Sequence, residues 1–302
     1  MTSVKSRSKV VGFALVLAVA GQVGGALAFT ERLTVSGDLS FGIAPDRGDL
    51  SIAADADAAL DLGAGFALNL GFYGAATDLT GTVDTPHETY GTLSWRGQRI
   101  GFAVGVPRPA YDAAVLPAFE SFDPIAALDP AYLGAARSRA TWGAVHNGDL
   151  PLGLRVDGSE PDYTWALSAH RMDDLDVASA SMAWSPGGDP ALLVGLGAEV
   201  SSDGNHGAKA SVDRAFGALT LGGAVFLAPV AGASDFAEAR LAWEAQPGLD
   251  LSLIYVAPRD GSEAAVIGVR KEVGSQGFLK GAVRVDGDDI ASVVSLGLTF
   301  GY

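Results

Sequence analysis

The feature that most constrains this sequence is an alternation of apolar and polar residues with a period of two. In segment 33–41, Leu33, Val35, Leu39 and Phe41 alternate with polar residues at the even positions. Such a period places successive side chains on opposite faces of a β-strand. Comparable stripes recur to the C-terminus, separated by turn sequences such as Asn147-Gly148, and helical periodicity is almost absent. The sequence therefore predicts an all-β chain in an antiparallel meander, without a domain break.

Composition and charge exclude several classes of protein. Of the 302 residues, 48% are hydrophobic and the mean hydropathy is +0.26, which argues against a mainly disordered chain. The chain has no Cys, so it is not a disulfide scaffold. Acidic residues outnumber basic ones 35 to 20, whereas nucleic-acid binders carry a basic surplus. We therefore expect no nucleic-acid partner.

Residues 1–28 are typical of a secretory signal peptide. Three basic residues near the start precede an apolar run over 10–20, and Ala-Leu-Ala at 26–28 is a small-residue cleavage site. The run is too short for a membrane-spanning helix, which needs about 20 apolar residues. Cleavage would remove the three bases and change the formal charge from −15 to −18. We expect an exported mature chain over 29–302.

Alternating strands fit two architectures, which turn the apolar face to opposite sides. A soluble periplasmic sandwich turns it inward, whereas a transmembrane barrel turns it toward lipid and lines its lumen with polar residues. Three features favour the barrel: the export signal, aromatic residues near the ends of stripes, and polar faces rich in Ser, Gly, Asp and Arg. The last segment, 294–302, also alternates up to Tyr302, where a frayed polar terminus would be usual.

The alternation stops in one long segment after the fifth predicted strand, which ends near Val106. Its five Pro residues argue against a strand, and we expect short helical turns around Ala110–Leu116 and Ala118–Phe122. A connection this long is usually functional. It is rich in Leu, Phe, Ile and Ala, so we expect it to fold back onto the rest of the protein.

The C-terminal strand, with Phe300 and Tyr302, resembles the last strand of bacterial outer-membrane barrels. The export signal, that strand and the long loop after strand 5 together are most similar to the general-diffusion porins of Gram-negative bacteria, in particular the alphaproteobacterial type. The resemblance implies a loop, residues 107–137, that lies inside the barrel and constricts the pore. It also implies a homotrimer in outer-membrane lipid, and a barrel-assembly machinery that reads Phe300 and Tyr302 as its assembly signal.

The strand count follows from the same reasoning. A direct count of stripes gives seventeen, but a barrel with both termini on the periplasmic side needs an even number. Counted from either end of the chain, short turns and longer loops alternate consistently. The two counts disagree only over 137–175. We take Leu152–Val156 as the segment that is not a separate strand. About sixteen strands remain, with fourteen as the alternative, and sixteen is the size that holds an aqueous channel.

Charged residues suggest how such a pore would work. Carboxylates of the loop would face basic side chains on the inner wall, and the separated charges would set up a transverse field. With its acidic surplus, the pore would show a mild preference for cations among small hydrophilic solutes and ions. The acidic candidates are Asp112, Glu120, Asp123 and Asp129, and the basic candidates are Arg96, Arg99, Arg139, Arg155, Lys280 and Arg284.

Other functions remain open on the sequence alone. The barrel could be a non-conducting structural or adhesive outer-membrane protein. An outer-membrane hydrolase would need a constellation such as Ser168 and His170 with Asp173 or Asp174, but residues two apart on a strand share a face without reaching each other. We therefore expect no enzymatic activity and no cofactor. Ca²⁺ is a weak option, because pores of this kind bind divalent cations between acidic loops.

Overall fold

A computed structural model of the protein describes residues 32–44, 49–77, 87–122, 130–287 and 289–301. Within these residues, antiparallel strands pair in chain order and the first strand pairs with the sixteenth, which closes a barrel. The predicted all-β barrel of about sixteen strands is confirmed. The predicted signal peptide and Tyr302 lie outside the described residues.

The strands are mostly ten to twelve residues long, the length expected of tilted strands in a transmembrane barrel. Their bounds are β1 Leu33–Ala44, β2 Asp49–Gly63, β3 Phe66–Thr77, β4 His87–Arg96, β5 Ile100–Val106, β6 Leu152–Ser159, β7 Tyr163–Met172, β8 Leu175–Trp184, β9 Leu192–Ser201, β10 His206–Phe216, β11 Leu219–Leu227, β12 Phe236–Gln246, β13 Leu249–Pro258, β14 Ala264–Val273, β15 Gly277–Asp286 and β16 Asp289–Gly301.

The connection between β5 and β6 is longer than predicted and runs over 107–151. It holds two single turns of 3-10 helix, Ala110–Ala113 and Ala118–Ser121, where short helical turns were expected. Two α-helices follow, α1 over Pro130–Ala136 and α2 over Arg139–Asn147. No helix in the described part of the chain is long and apolar enough to cross a membrane.

The prediction that Leu152–Val156 is not a strand is wrong, because these residues open β6 and the surplus segment is α2 instead. Local capping explains the helix. The Ser138 hydroxyl accepts a hydrogen bond from the Ala140 backbone N–H at 3.1 Å, and Gly148, with φ of +73°, ends the helix in the left-handed conformation. Thr, Trp and Val residues in the helix favour strands, and they obscured these signals.

The outward face of the barrel is apolar. Leu70, Ile267 and Ile290 point outward and are 61%, 62% and 66% exposed. A soluble sandwich would bury such residues, whereas a transmembrane barrel turns them toward lipid. Aromatic side chains form a ring on this face near the short turns, as an interfacial girdle requires, and they include Phe66, Trp95, Phe102, Tyr163, Trp184, Phe216 and Trp243.

The inward face is polar over most strands but carries an extended apolar patch on β11 to β14. Phe226, Phe236, Ile254, Val256 and Val266 face inward on β11 to β14 and are almost fully buried. Side chains of the long loop cover them, namely Val115, Phe119 and Phe122. Burying a side chain of this size contributes roughly 1.5–3 kcal/mol. The apolar part of the loop therefore packs against the inner wall of the barrel. The prediction that the loop folds back onto the rest of the protein is confirmed.

Candidate pore constriction

The loop enters the barrel directly after β5. The Ala110 backbone N–H donates to the Ser168 hydroxyl at 2.8 Å, and the Tyr111 N–H donates to the Ser179 hydroxyl at 3.2 Å. Ser168 and Ser179 face inward on the paired strands β7 and β8. Small polar residues at these positions let the backbone of the loop approach the wall. The first turn of the loop is thus fixed on the side of the barrel opposite β1.

Three carboxylates of the inner wall hold the loop further along. Glu238 on β12 accepts from the Ala118 N–H, at 3.0 and 2.9 Å to its two oxygens. Glu199 on β9 accepts from the Ser138 hydroxyl at 2.5 Å and from the Arg139 N–H at 2.7 Å.

The third carboxylate is Glu88 on β4, which accepts from the Thr141 hydroxyl at 3.1 Å and from the Tyr90 hydroxyl. All three carboxylates are almost fully buried, at 1% to 4% exposure. Sequence reasoning did not single them out. In the sequence, each is only an acidic residue at an inward-facing position of a strand. Acids that face open water in a lumen occupy the same kind of position, so the sequence does not distinguish the two.

The predicted acidic residues have other partners than expected. Asp112 is 3% exposed, and it accepts from the Ser138 N–H at 2.6 Å and the Thr141 hydroxyl at 2.5 Å. Glu120 accepts from the Tyr73 hydroxyl at 2.6 Å and pairs with Arg137. These two carboxylates fasten the loop to itself and to the wall, so they do not face basic residues across the open lumen. Asp123 and Asp129 lie outside the described residues.

Two of the predicted basic residues do not lie on the inner wall. Arg139 is the first residue of α2 and pairs with Asp203, after β9, at 2.8 Å. Its placement on the wall was wrong because its segment is a helix of the loop. Arg99 belongs to the short turn between β4 and β5 and pairs with Glu160 at 3.0 Å. It was placed on the wall because it alternates with the stripe of Ile100 and Phe102, but β5 begins only at Ile100.

The remaining four predicted bases do face the lumen. Arg96 ends β4 and pairs with Asp157 at 2.8 Å. Arg155 on β6 donates to the Arg108 carbonyl at 3.0 Å and lies 3.7 Å from Asp157. Arg284 and Lys280 face inward on β15, and Arg284 pairs with Asp286 at 2.8 Å.

Sequence reasoning missed the loop residue Arg108, which stands at the edge of the lumen. Its guanidinium lies 3.2 Å from an Asp55 oxygen on β2 and 4.8 Å from the centre of the Tyr90 ring. A cavity of about 330 Å³ lies beside it, lined among others by Asp57, Asn69 and Arg155. This polar cavity beside the loop is thus lined by acids of β2 and β6 and by arginines of the loop, β4 and β6.

Two loop side chains buried at the wall keep their ordinary charge. Burial raises the pKa of the Tyr111 hydroxyl, and the Glu199 and Asp112 carboxylates raise it further, so the hydroxyl stays protonated. Burial alone would lower the pKa of the Arg137 guanidinium, but Glu120 and Tyr73 outweigh it and the pKa rises. Arg137 therefore remains a cation and stacks over the Tyr73 ring at 4.6 Å.

The residues considered for hydrolysis are engaged in holding the loop. Ser168 receives the Ala110 N–H and lies 2.9 Å from the Ser179 hydroxyl. The Nδ1 atom of His170 lies 3.3 Å from the Pro151 carbonyl. Ser168 and His170 form no hydrogen bond to each other in the described residues. The same portion of the chain holds no group of three or more His, Asp or Glu residues arranged for a metal ion.

The fold has close counterparts among solved structures. An engineered variant of the porin of Rhodopseudomonas blastica is 16% identical, with a TM-score of 0.62 over 89% of this chain and 99% of that chain. A second variant of that porin gives a TM-score of 0.61 at the same identity and coverage. No protein-family profile matches the sequence. No curated protein matches it either. The chain therefore has the sixteen-stranded barrel fold of the alphaproteobacterial general porins, with the long loop after strand 5 folded into the barrel.

Proposed function

We propose that the protein is a porin, a water-filled channel through which small hydrophilic solutes and ions diffuse passively. One observation carries the proposal: the barrel turns an apolar face outward, while the loop inside it leaves a cavity lined by charged residues such as Asp57, Arg108 and Arg155, which we take as part of the ion passage. An apolar exterior fits lipid, and a lumen lined by charge fits water and ions.

The proposed location is the outer membrane of a Gram-negative bacterium. The predicted signal peptide over 1–28 and the likeness to a bacterial porin support it. We further propose a homotrimer in outer-membrane lipid, by analogy with porins. Phe300 faces outward near the end of β16, where it pairs with Gly37 of β1. That position fits the proposed recognition of Phe300 and Tyr302 by the barrel-assembly machinery.

The proposed ion preference is mildly cationic. Asp57 is exposed on the inner wall of β2, next to Asp55, which pairs with Arg108, and Asp38 faces the lumen on β1. Several arginines of the passage, by contrast, are paired with carboxylates. A wall whose exposed charge is acidic raises the local concentration of cations.

Conductance in a planar bilayer tests the proposal. We expect the purified protein to insert as discrete steps of ohmic current, and a gradient of potassium chloride to give a reversal potential of the sign for cations. Stable insertion without any steps would contradict a channel. Protein whose barrel has been denatured, checked by heat-modifiable gel mobility, provides the matched control.

A non-conducting structural barrel is the second candidate, because the loop is fastened to the wall at several points. Hydrogen bonds join it to β7, β8, β9 and β12, and its apolar side chains cover the inner patch. A loop held this firmly could also serve to fill the lumen. The same bilayer measurement separates the two functions, since a filled barrel inserts without conducting.

A further inference from the structure

Two basic side chains of the inner wall differ from all the other described bases that face the lumen. Arg270 on β14 and Lys280 on β15 take part in no ion pair and no hydrogen bond within the described residues. Each of the other bases has a partner. Arg96 and Arg155 pair with Asp157, Arg108 with Asp55, Arg240 with Asp213 and Glu238, and Arg284 with Asp286, while Lys209 donates to the Ala136 carbonyl.

The two unpaired bases are direct neighbours. Arg270 and Lys280 occupy the same register position of the antiparallel pair β14 and β15, with both side chains on the inward face. Directly opposite residues on such a pair have Cβ atoms about 4.5–5.5 Å apart, and like charges at this spacing repel each other. The fold therefore holds two cations together at a half-buried position, and no described carboxylate forms an ion pair with either of them.

An aromatic ring fixes the direction of both charges. The Arg270 guanidinium lies 4.7 Å and the Lys280 ammonium 4.6 Å from the centre of the Phe278 ring. Phe278 is 1% exposed and packs against Gly297 of β16, where any Cβ atom would overlap the ring. The glycine thus makes room for a platform that positions the two cations, and cation–π attraction holds them on it.

The pair lies next to the loop. Phe122 of the loop packs against Gly268, which is two residues before Arg270 on the same inward face of β14. A solute that passes the loop therefore moves close to Arg270 and Lys280. Three inward carboxylates lie around the pair: Asp250 is opposite Arg270 on β13, Glu272 is opposite Phe278 on β14, and Asp38 of β1 acts on the charge of Lys280 from across β16. None of the three forms an ion pair with the two bases.

We propose that Arg270 and Lys280, mounted on Phe278, form a binding site for a small oxyanion on the lumen wall beside the loop. An oxyanion supplies several acceptors for the guanidinium fork and the ammonium group, and its charge offsets the repulsion between them. The ligand class is a phosphate or a carboxylate, free or carried by a solute. A role of the site in permeation rests on the proposed function, whereas binding itself does not.

Calorimetric titration of the full-length mature protein in detergent tests binding without any need for conductance. Inorganic phosphate and acetate serve as separate probes, because they distinguish the two ligand sources. We expect saturable binding of phosphate, and weaker binding of acetate, which offers fewer acceptors. Replacement of both bases, Arg270→Gln with Lys280→Gln, should raise the dissociation constant for phosphate at least about tenfold, equivalent to 1.4 kcal/mol.

Lys271→Gln provides the matched control. Lys271 follows Arg270 on β14 but lies on the outward parity of the strand, so its replacement removes a charge and leaves the lumen unchanged. Equal affinity for phosphate in the wild type, the double variant and the control would overturn the site. If the double variant does not fold, as judged by heat-modifiable mobility, the single Arg270→Gln variant makes the same comparison with Lys271→Gln.

Bilayer currents then connect the site to permeation. In potassium chloride, added phosphate should reduce the wild-type current with a saturating dose dependence, and the reduction should be lost in the double variant but kept in Lys271→Gln. Conducting channels on which phosphate acts equally in all three proteins would contradict the site and leave the porin proposal standing. Phosphate binding to a barrel that never conducts would support the site and contradict the porin proposal.

Discussion

The carboxylate of Glu238 on β12 receives the backbone N–H of Ala118, 120 residues earlier in the chain, at 3.0 and 2.9 Å to its two oxygens. The bond ties the first third of the long loop to the far wall of the barrel, beside the apolar patch. The Glu238 carboxylate is 4% exposed and also lies 3.5 Å from Arg240, whereas the Ala118 N–H has no other described acceptor and loses its partner when Glu238 is removed. The position of the loop therefore depends on this contact together with those of Glu88 and Glu199.

Glu238→Ala should loosen the loop without opening the barrel. The Ala118 N–H would lose its acceptor, a cost of roughly 1–3 kcal/mol for a buried donor. We expect larger fluctuations of the open-channel current and an altered single-channel conductance in planar bilayers. Glu244→Ala is the matched control, because Glu244 lies on the same strand and face near the short turns. Identical traces from the two variants would show that Glu238 does not hold the loop.

The barrel itself could be predicted from the sequence because its signal is local and repeated. An alternation such as Leu33, Val35, Leu39 and Phe41 needs no knowledge of distant residues, and lipid on one side with water on the other maintains it along the whole strand. The interruption after Val106 marked the loop for the same reason. Its two short helical turns were also predictable, since each follows a Pro residue that breaks a strand.

The interior of the pore could not be predicted in the same way. Asp112 and Glu238 are both acids on segments expected to face water, yet both are buried by contacts that join distant parts of the chain. Only the packing of the loop decides which carboxylates bind its backbone and which face the lumen. The α2 helix was missed because its capping by Ser138 and Gly148 competes with the strand preference of its own residues.

Phe119→Ala should weaken the packing of the loop against the inner apolar patch. The Phe119 ring is 3% exposed and lies 5.2 Å from Tyr132 and 6.4 Å from Phe236, measured between ring centres. Truncation of a buried Phe costs about 3–5 kcal/mol. We expect faster cleavage within the loop by a protease under native conditions, with the barrel still resistant to heat in gel mobility.

Phe102→Ala, on the outward face, is the control for Phe119→Ala. It removes a ring of the same size from the lipid-facing side. If both variants are cleaved at the wild-type rate, the apolar patch does not secure the loop.

Deletion of residues 111–129 should raise the single-channel conductance. The segment includes the turns that pack on β8 and on the apolar patch, so its removal clears volume from inside the barrel. The measurement is the size of single steps in potassium chloride, with heat-modifiable mobility to confirm that the barrel has formed. An unchanged step size would mean that this segment does not narrow the path of the ions.

Arg108→Gln should increase the preference for cations. The Arg108 guanidinium now lies 3.2 Å from Asp55 and close to Asp57, so it offsets part of the acidic charge of β2 at the edge of the passage. A neutral amide leaves that charge to act on permeating ions, and a ring of one sign selects the opposite ion. The reversal potential in a potassium chloride gradient should therefore shift in the cation-selective direction.

Arg214→Gln is the control for Arg108→Gln, since it removes the same charge from the outward face, where Arg214 pairs with Asp189 at 2.9 Å. Its reversal potential should match that of the wild type. The shift in Arg108→Gln should also fade as the salt concentration rises, because screening shortens the reach of Asp55 and Asp57 to roughly 3 Å at 1 M. A shift toward anions, or equal shifts in the two variants, would contradict the assignment of Arg108 to the passage.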